Sequence, residues 1–337
     1  MINTFQSLAE RFVVITGLII LLLLTGIVVL PAQGQAQAPE GLPAVTHNTW
    51  TSGAPMPTPM WFPAGAGVIK NQIYVVGGYD SSRNQLADNQ IYNPATNAWS
   101  TGASIPAATA QGASTVVKNV LYVFGGCNVQ GTVTNAVWAY NPKTNAWSSK
   151  SAMPTARCSA AAVVDKSKII FVIGGYANGQ RLSTVEAYNP ATDSWTEKAS
   201  LLVGKSEPAA GLIGTTIAAA GGYTQSGDTG DNEGYNITAN SWTSIKSDPT
   251  ARNGSCFGAI GSQLYVAGGY PGGGPGTPAM RLNESFKPSK NAWTTLASMP
   301  QASMTAASAV YKKQLYCFGG TSTDSGTVLT NVQIFQP

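Results

Sequence analysis

The sequence contains very little histidine and few charged residues, and both shortages limit its chemistry. His47 is the single histidine among 337 residues, which argues against a Ser-His-Asp triad and against a metal site built from imidazoles. Charged residues make up 10% of the chain and the formal net charge is +4, with no basic run, so nucleic acid is not an expected partner.

Motifs for nucleotide and metal chemistry are also missing. Gly-x-Ser-x-Gly, P-loop and Cys-x-x-Cys patterns do not occur. Asp228, Asp231 and Glu233 stand close together, but their spacing matches no standard calcium loop, and a solvated acidic turn is the simpler interpretation. We therefore expect no cofactor and no metal.

One long apolar run stands near the amino terminus. Residues 12–30 are almost all apolar and follow Arg11, and the next cation is Lys70, which orients the amino terminus inward and the rest outward. Residues 1–30 are thus predicted to form one hydrophobic helix, either a cleaved signal peptide or a retained membrane anchor. Residues 31–45 are predicted to be a flexible linker. The remainder, 46–337, is expected outside the cytoplasm, as a secreted, periplasmic or cell-surface domain.

The most informative pattern is a repeated Gly-Gly pair. It occurs six times, at successive distances of 47 to 51 residues, at Gly77-Gly78, Gly125-Gly126, Gly174-Gly175, Gly221-Gly222, Gly268-Gly269 and Gly319-Gly320. In the first five copies an aromatic residue follows, and a tryptophan stands seven positions beyond it, as in Tyr92 and Trp99. With 37 glycines and 20 prolines, this period predicts an all-β propeller with four short strands in each blade.

The sixth repeat ends before its tryptophan, and the missing strand is found at the other end of the domain. His47-Asn48-Thr49-Trp50 matches Thr96-Asn97-Ala98-Trp99 in place. An amino-terminal strand that completes the last blade would hide both edges and close a ring of six blades.

These motifs resemble the kelch-repeat family over essentially residues 46–337. The family includes adaptors that bind acidic peptides, a copper radical oxidase and a periplasmic six-bladed sialic acid mutarotase. The resemblance implies the architecture without fixing an activity. A copper site of the oxidase type would need histidine ligands, and His47 alone, at a turn position, does not supply them.

The propeller face that carries the segments after Gly-Gly is the predicted binding site. The residue ten positions after each tryptophan leads into the next blade, and three consecutive blades place a cation there: Arg157, Lys205 and Arg252. Tyr79, Tyr176, Tyr223 and Tyr270 directly follow Gly-Gly and could add stacking surface, although packing between blades is an alternative for them. The sequence therefore predicts a monomeric, non-catalytic module that binds a protein or glycan ligand, preferably an anionic carbohydrate or peptide.

Two other functions stay open at this point. Glu207 is the one carboxylate near the start of an inner strand and could act as a general acid and base on a sugar, as in an enzyme resembling the sialic acid mutarotase. A salt bridge with Lys205 or Arg252 is the structural alternative for Glu207. A structural or adhesive surface module would bind no small molecule at all.

The four cysteines divide into two pairs with different expectations. Cys127 follows Gly126, and Cys158 opens the next inner strand on the same face, so a Cys127–Cys158 disulfide is predicted for an exported chain. Cys256 and Cys317 fall within strands of neighbouring blades and are expected to be free, buried thiols.

Overall fold

The protein folds as a closed ring of six antiparallel sheets. The computed structural model describes residues 47–272, 276–323 and 326–337. Each sheet is a four-stranded blade, and the inner strand of every blade contacts the inner strands of both neighbours. The predicted all-β, six-bladed propeller is confirmed, and this part of the chain contains no α-helix.

The strands follow one another blade by blade. The first strand, β1 (Thr49–Gly53), belongs to blade six. Blade one consists of β2 (Gly65–Ile69), β3 (Gln72–Val76), β4 (Asn89–Asn93) and β5 (Ala98–Thr101). Blade two consists of β6 (Ala113–Val117), β7 (Val120–Phe124), β8 (Val137–Asn141) and β9 (Ala146–Lys150). Blade three consists of β10 (Ala161–Val164), β11 (Ile170–Ile173), β14 (Val185–Asn189) and β15 (Ser194–Lys198), with a small ribbon of β12 (Tyr176–Ala177) and β13 (Gln180–Arg181).

The second half repeats the plan. Blade four consists of β16 (Ala209–Ile213), β17 (Thr216–Ala220), β20 (Asn232–Asn236) and β21 (Ser241–Ile245), with a ribbon of β18 (Tyr223–Thr224) and β19 (Gly227–Asp228). Blade five consists of β22 (Cys256–Ile260), β23 (Gln263–Ala267), β24 (Asn283–Lys287) and β25 (Ala292–Thr295), with a 3-10 turn at Pro288–Lys290. Blade six consists of β26 (Ala307–Tyr311), β27 (Gln314–Phe318), β28 (Val332–Gln336) and β1.

The amino-terminal segments are not covered by these elements. The predicted apolar helix at 12–30 and the linker at 31–45 lie outside the described residues. Within the described ranges, no helix has the length and apolar character needed to cross a membrane.

The Gly-Gly pairs fasten each blade to the next. The N–H of the second glycine donates to the carbonyl of the residue that leads into the following blade, at 2.8 to 3.0 Å in all six copies. Gly77 has a φ of +61°, and a Cβ added to it would lie 2.4 Å from the Thr109 carbonyl oxygen. The close approach and the left-handed backbone both require glycine, which explains why the pair recurs in every blade.

A second repeated contact joins the outer strands, and we call it the clasp. An asparagine or aspartate accepts a hydrogen bond from a backbone N–H of the preceding blade, and the tryptophan two residues later donates to the carbonyl of that same residue. The twelve distances of the six clasps lie between 2.6 and 2.9 Å. The bridged residues are Ala54, Ala103, Ser151, Ala199, Lys246 and Ala297.

The sixth clasp closes the ring without a covalent link. Strand β1 pairs antiparallel with β28, which places Trp50 opposite Phe335 with ring centroids 5.0 Å apart. Trp50 Nε1 donates to Ala297 of blade five at 2.7 Å, and Asn48 Oδ1 accepts from the Ala297 N–H at 2.7 Å. The predicted closure by the amino-terminal strand is thereby confirmed.

Two disulfides join neighbouring blades. Cys127 is bonded to Cys158, the pairing that the sequence predicts, with the Cα atoms 5.5 Å apart. Cys256 is bonded to Cys317, with the Cα atoms 5.8 Å apart, so the expectation of two free thiols is corrected. The reason is that β22 lies against β27 across the interface between blades five and six, within the Cα separation that a disulfide spans.

Removal of the Trp50 ring tests the closure. Because Trp50→Ala removes a packed indole and one clasp hydrogen bond, it should lower the free energy of unfolding by about 3 to 5 kcal/mol. Denaturant titration measures the change, and Thr51→Ala, at an exposed site on the same strand, is the control. An unchanged unfolding midpoint in Trp50→Ala would contradict non-covalent closure.

The disulfide assignment can be tested separately. Peptide mapping without reduction should recover Cys127 linked to Cys158 and Cys256 linked to Cys317, and alkylation of the oxidised native protein should label none of the four. Reduction should then lower the stability by about 2 to 5 kcal/mol for each bond. Native alkylation of Cys256 or Cys317 would show that this pair is not bonded.

Candidate functional site

The upper face is defined here as the face that carries the segments after the Gly-Gly pairs. Those segments pair with the chain that leads into the inner strands, for example Tyr176 with Cys158 and Tyr223 with Ser206. The two kinds of segment therefore share one face, as the strand directions predict. The cations and tyrosines proposed from the sequence all belong to this face, but their environments differ.

The three predicted ligand cations are buried. Arg157, Lys205 and Arg252 are 1%, 0% and 1% exposed. Since a buried charge is stable only when it is paired, we expect a carboxylate beside each of these cations. This burial corrects the prediction that the three cations contact a ligand.

Each buried cation bonds to a carboxylate on the third strand of its own blade. Lys205 Nζ lies 3.0 Å from Glu233, and Arg157 pairs with Glu186. Arg252 lies 2.6 Å from Glu284 and 3.1 Å from Asp248. The pairs fix the connections between blades two to five beneath the upper face, and they leave no free cation for an anionic ligand at these three positions.

The sequence carried a signal for this pairing. In blades three, four and five a glutamate stands two residues before the repeated aromatic, and these are the blades whose leading residue is a cation. Blades one, two and six have Gln90, Trp138 and Gln333 at the glutamate position, and uncharged leading residues. The cation and the glutamate therefore occur together or not at all.

The four tyrosines separate into two groups. Tyr79 is buried and its hydroxyl donates to the Cys127 carbonyl of the next blade at 2.9 Å. Tyr79 therefore packs between blades, which is the alternative role considered for these tyrosines. Tyr270 is half-buried and its backbone pairs with that of Asn253. Tyr176 and Tyr223 are half-buried and enclose Arg181, whose guanidinium carbon lies 4.6 and 4.8 Å from the two ring centroids. Arg181 is therefore a cation held at the surface by two aromatic faces.

Six residues around the propeller axis form what we call the axial ring. All six have left-handed backbones, with φ between 46° and 60°, and they are Phe62, Gln111, Ser159, Glu207, Gly254 and Thr305. Backbone hydrogen bonds of 2.6 to 3.0 Å join five of the six neighbouring pairs in this ring, for example from the Glu207 N–H to the Ser159 carbonyl. The ring residues line a cavity of about 110 Å³ at the axis.

Glu207 supplies the one carboxylate of the axial ring. Its side chain is half-buried, but the Oε2 atom is buried and has no hydrogen-bond partner. Gly254 lies beside it, because a Cβ at that glycine would be 3.1 Å from Oε2. Neither Lys205 nor Arg252 is paired with Glu207, since both bond to other carboxylates.

Burial raises the pKa of the Glu207 carboxyl to about 7. The positive charge of Arg181 lowers this pKa, and the negative charge of Asp228 raises it further. Burial also raises the pKa of Asp228, while a hydrogen bond from the Asn253 amide to the Asp228 carboxylate lowers it. The axial cavity thus combines a carboxyl group that titrates near neutral pH with a cation and a second carboxylate nearby.

The acidic residues of blade four do not form a metal site. Glu233 is bound to Lys205, and Asp228 accepts from Asn253. Across the described residues, no group of three or more histidine, cysteine, aspartate or glutamate side chains is arranged to hold a metal ion.

The repeats and the ring agree with the comparisons to known proteins. The kelch-repeats domain of KLHDC2, KLHL20 and DRC7 matches residues 45–210, and the kelch motif matches residues 251–300. The chain belongs to the kelch-repeat propeller family. The solved structure of YjhT is similar to this kelch propeller, with a TM-score of 0.71 and 18% identity over 83% of this chain and 96% of that chain, which shows a shared fold. No curated protein matches the sequence.

The raised pKa of Glu207 predicts how the stability of this kelch propeller changes with pH. Because the folded pKa lies above that of the unfolded chain, ionised Glu207 destabilises the fold as the pH rises above about 4.5, and below that pH the effect disappears. Glu207→Gln should therefore raise the melting temperature at pH 8 relative to the unmodified protein, and by much less at pH 4.

Thermal unfolding at the two pH values measures this difference. Glu197→Gln, which removes an exposed carboxylate, is the control and should shift the melting temperature little at either pH. A Glu207→Gln effect that is the same at pH 4 and pH 8 would contradict the raised pKa.

Proposed function

We propose that this kelch propeller is a binding module whose ligand enters the axial cavity of the upper face. The observation that carries the proposal is Glu207 Oε2, a buried acceptor at the axis without a hydrogen-bond partner. Leaving such an atom unpaired costs about 1 to 3 kcal/mol. A hydroxyl or amine of a ligand would supply the missing donor and recover that free energy.

The surroundings of the cavity favour a carbohydrate or peptide ligand that also bears a carboxylate. Arg181 takes part in no ion pair with any described residue, and its Nε is buried without a partner. A ligand carboxylate could meet the guanidinium, whose position the rings of Tyr176 and Tyr223 hold. In this proposal Arg181 binds the anionic group of the ligand, the role that the sequence pattern predicts for Arg157, Lys205 and Arg252.

The axial cavity is small, and two further spaces of about 170 and 400 Å³ are lined by residues of the inner strands. A volume of about 110 Å³ accommodates one end of a ligand, such as a hydroxymethyl group or a terminal amine, while the remainder lies across the upper face. Two disulfides, together with the apolar segment at 12–30, support a location outside the cytoplasm for this module.

A second function is favoured by one observation, the pKa of Glu207 near 7. A carboxyl group with this pKa can both accept and donate a proton at neutral pH, as an acid-base catalyst on the anomeric hydroxyl of a sugar would. The alternative is therefore a carbohydrate isomerase resembling the sialic acid mutarotase, with Glu207 as the acid and base.

Binding and turnover assays on the full chain separate the two functions. The probes are N-acetylneuraminate and peptides with a free terminal carboxylate, titrated by calorimetry. Glu207→Gln and Arg181→Ala should each weaken binding by about 10- to 100-fold, as expected for a lost charge-assisted hydrogen bond. Arg83→Ala removes another upper-face arginine that lies over an aromatic ring, that of Trp61, and is the matched control.

The interconversion of N-acetylneuraminate anomers, followed by NMR, reports on catalysis. The binding module predicts no acceleration by the unmodified protein. Acceleration that Glu207→Gln abolishes while N-acetylneuraminate still binds would establish the enzyme instead. If no probe binds the unmodified protein, or if Arg83→Ala weakens binding as much as Arg181→Ala, the axial site is wrong.

A further inference from the structure

The face opposite the axial ring carries a concentration of lysines. We define the lower face by the hairpin turns between the first and second strands of all six blades and between the third and fourth strands of blades one to five. Eight lysines stand in these turns and all are exposed: Lys70, Lys118, Lys143, Lys166, Lys168, Lys290, Lys312 and Lys313. They are a large share of the 19 cations in a chain whose net charge is only +4.

The charge of these lysines is not compensated locally. The turns contain two carboxylates, Asp165 and Asp193. Asp165 accepts from the Ile169 N–H at 2.8 Å, and Asp193 accepts from the Tyr188 hydroxyl and the Ser151 N–H. None of the eight lysines forms an ion pair with another described residue. The lower face is therefore strongly positive, although the whole chain is nearly neutral.

The lysines are concentrated on one side of the axis. Those in the turns nearest the axis belong to four consecutive blades, from blade six through blade three. At the corresponding turns, blades four and five have Gly214-Thr215 and Gly261-Ser262, which carry no charge. The inner turns of blades six, one, two and three are thus basic, while those of blades four and five are uncharged, and Lys290 in the outer turn of blade five is the one lysine of the eight on that side.

Several of these lysines occupy backbone conformations that do not suit lysine. Lys70, Lys118 and Lys312 have φ of 55°, 49° and 47°, where Gly214 and Gly261 have 65° and 61°. A side chain in this region costs about 1 to 2 kcal/mol relative to a relaxed conformation, and glycine avoids the cost. The backbone conformation of these turns therefore does not favour lysine, and turn geometry does not explain the repeated positive charge.

A groove crosses the basic side between blades one and two. Its volume is about 530 Å³, and its cations are Lys70, Lys118 and Lys143. Amide side chains stand beside them, at Gln72, Asn119 and Asn141. No carboxylate is found among the described residues that line the groove.

We propose that this groove and the lysines around it bind an acidic polysaccharide. Three lysines can meet carboxylates or sulfates along the polymer, while the neighbouring amides can bond to its hydroxyls. A bilayer would be expected to contact apolar side chains as well, but the large apolar residues exposed in the described chain, Val129 and the Leu202-Val203 pair, belong to upper-face connections. The site is separate from the axial cavity and does not depend on its ligand.

Binding of polyanions to the full chain tests the proposal. The probes are oligogalacturonate and dextran sulfate, with neutral dextran for comparison, each titrated between 0.05 and 0.3 M salt, roughly the range in which charge screening changes most. At least one acidic probe should bind more tightly than dextran. The triple variant Lys70→Gln/Lys118→Gln/Lys143→Gln should weaken that binding at least tenfold and reduce its salt dependence.

A matched variant controls for net charge. Lys150→Gln/Lys198→Gln/Lys246→Gln removes three lysines that lie outside the lower-face turns, and it should change the affinity less than twofold. Equal losses in the two triple variants, or acidic probes that bind no better than dextran, would overturn the proposal. Tighter binding to duplex DNA or to phosphatidylglycerol vesicles than to either acidic polysaccharide would also overturn it, in favour of those partners.

A double substitution separates binding from stability. Lys70→Gly/Lys118→Gly relieves the left-handed backbone, so the melting temperature should stay equal or rise while polyanion binding falls about tenfold. A lower melting temperature with unchanged binding would show that the lysines serve the turns and not a partner.

Discussion

The clasp between outer strands is the interaction on which the rest of the structure depends. One backbone residue in each blade gives its N–H to an asparagine or aspartate of the next blade and accepts from that blade's tryptophan. The clasping asparagines have φ near 50°, a conformation that asparagine tolerates better than most residues. Because the last clasp, of Asn48 and Trp50 with Ala297, matches the other five, the ring closes with no change in its geometry.

A closed ring places its two faces under different constraints. The upper face receives every connection between blades, and buried ion pairs such as Lys205–Glu233 hold three of these connections in place. Two residues after each buried cation the chain reaches the axial ring, so the pairs position the ring that contains Glu207. Among the described residues, the lower face carries short turns and the two chain ends at blade six, and lysine is concentrated in the turns.

The fold was predictable from the sequence because glycine, tyrosine and tryptophan repeat with a fixed spacing, and the truncated sixth repeat identifies Trp50 as its missing part. The site was less predictable. Arg157, Lys205 and Arg252 belong to the predicted face, but they are buried because each pairs with a glutamate some 30 residues away. The position of a cation within its repeat does not reveal this pairing unless the glutamate two residues before the aromatic is considered with it. Arg181 and the Cys256–Cys317 bond likewise depend on contacts between neighbouring blades, which strand assignment alone does not specify.

Native-state hydrogen exchange at the clasps tests the account most directly. The six bridged amides are those of Ala54, Ala103, Ser151, Ala199, Lys246 and Ala297. If the ring depends on six equivalent clasps, the Ala297 amide should be protected as strongly as the other five and should open with them in one cooperative unit. Rapid exchange at Ala297, with the other five amides protected, would show that the ring is open between blades five and six and would contradict the account.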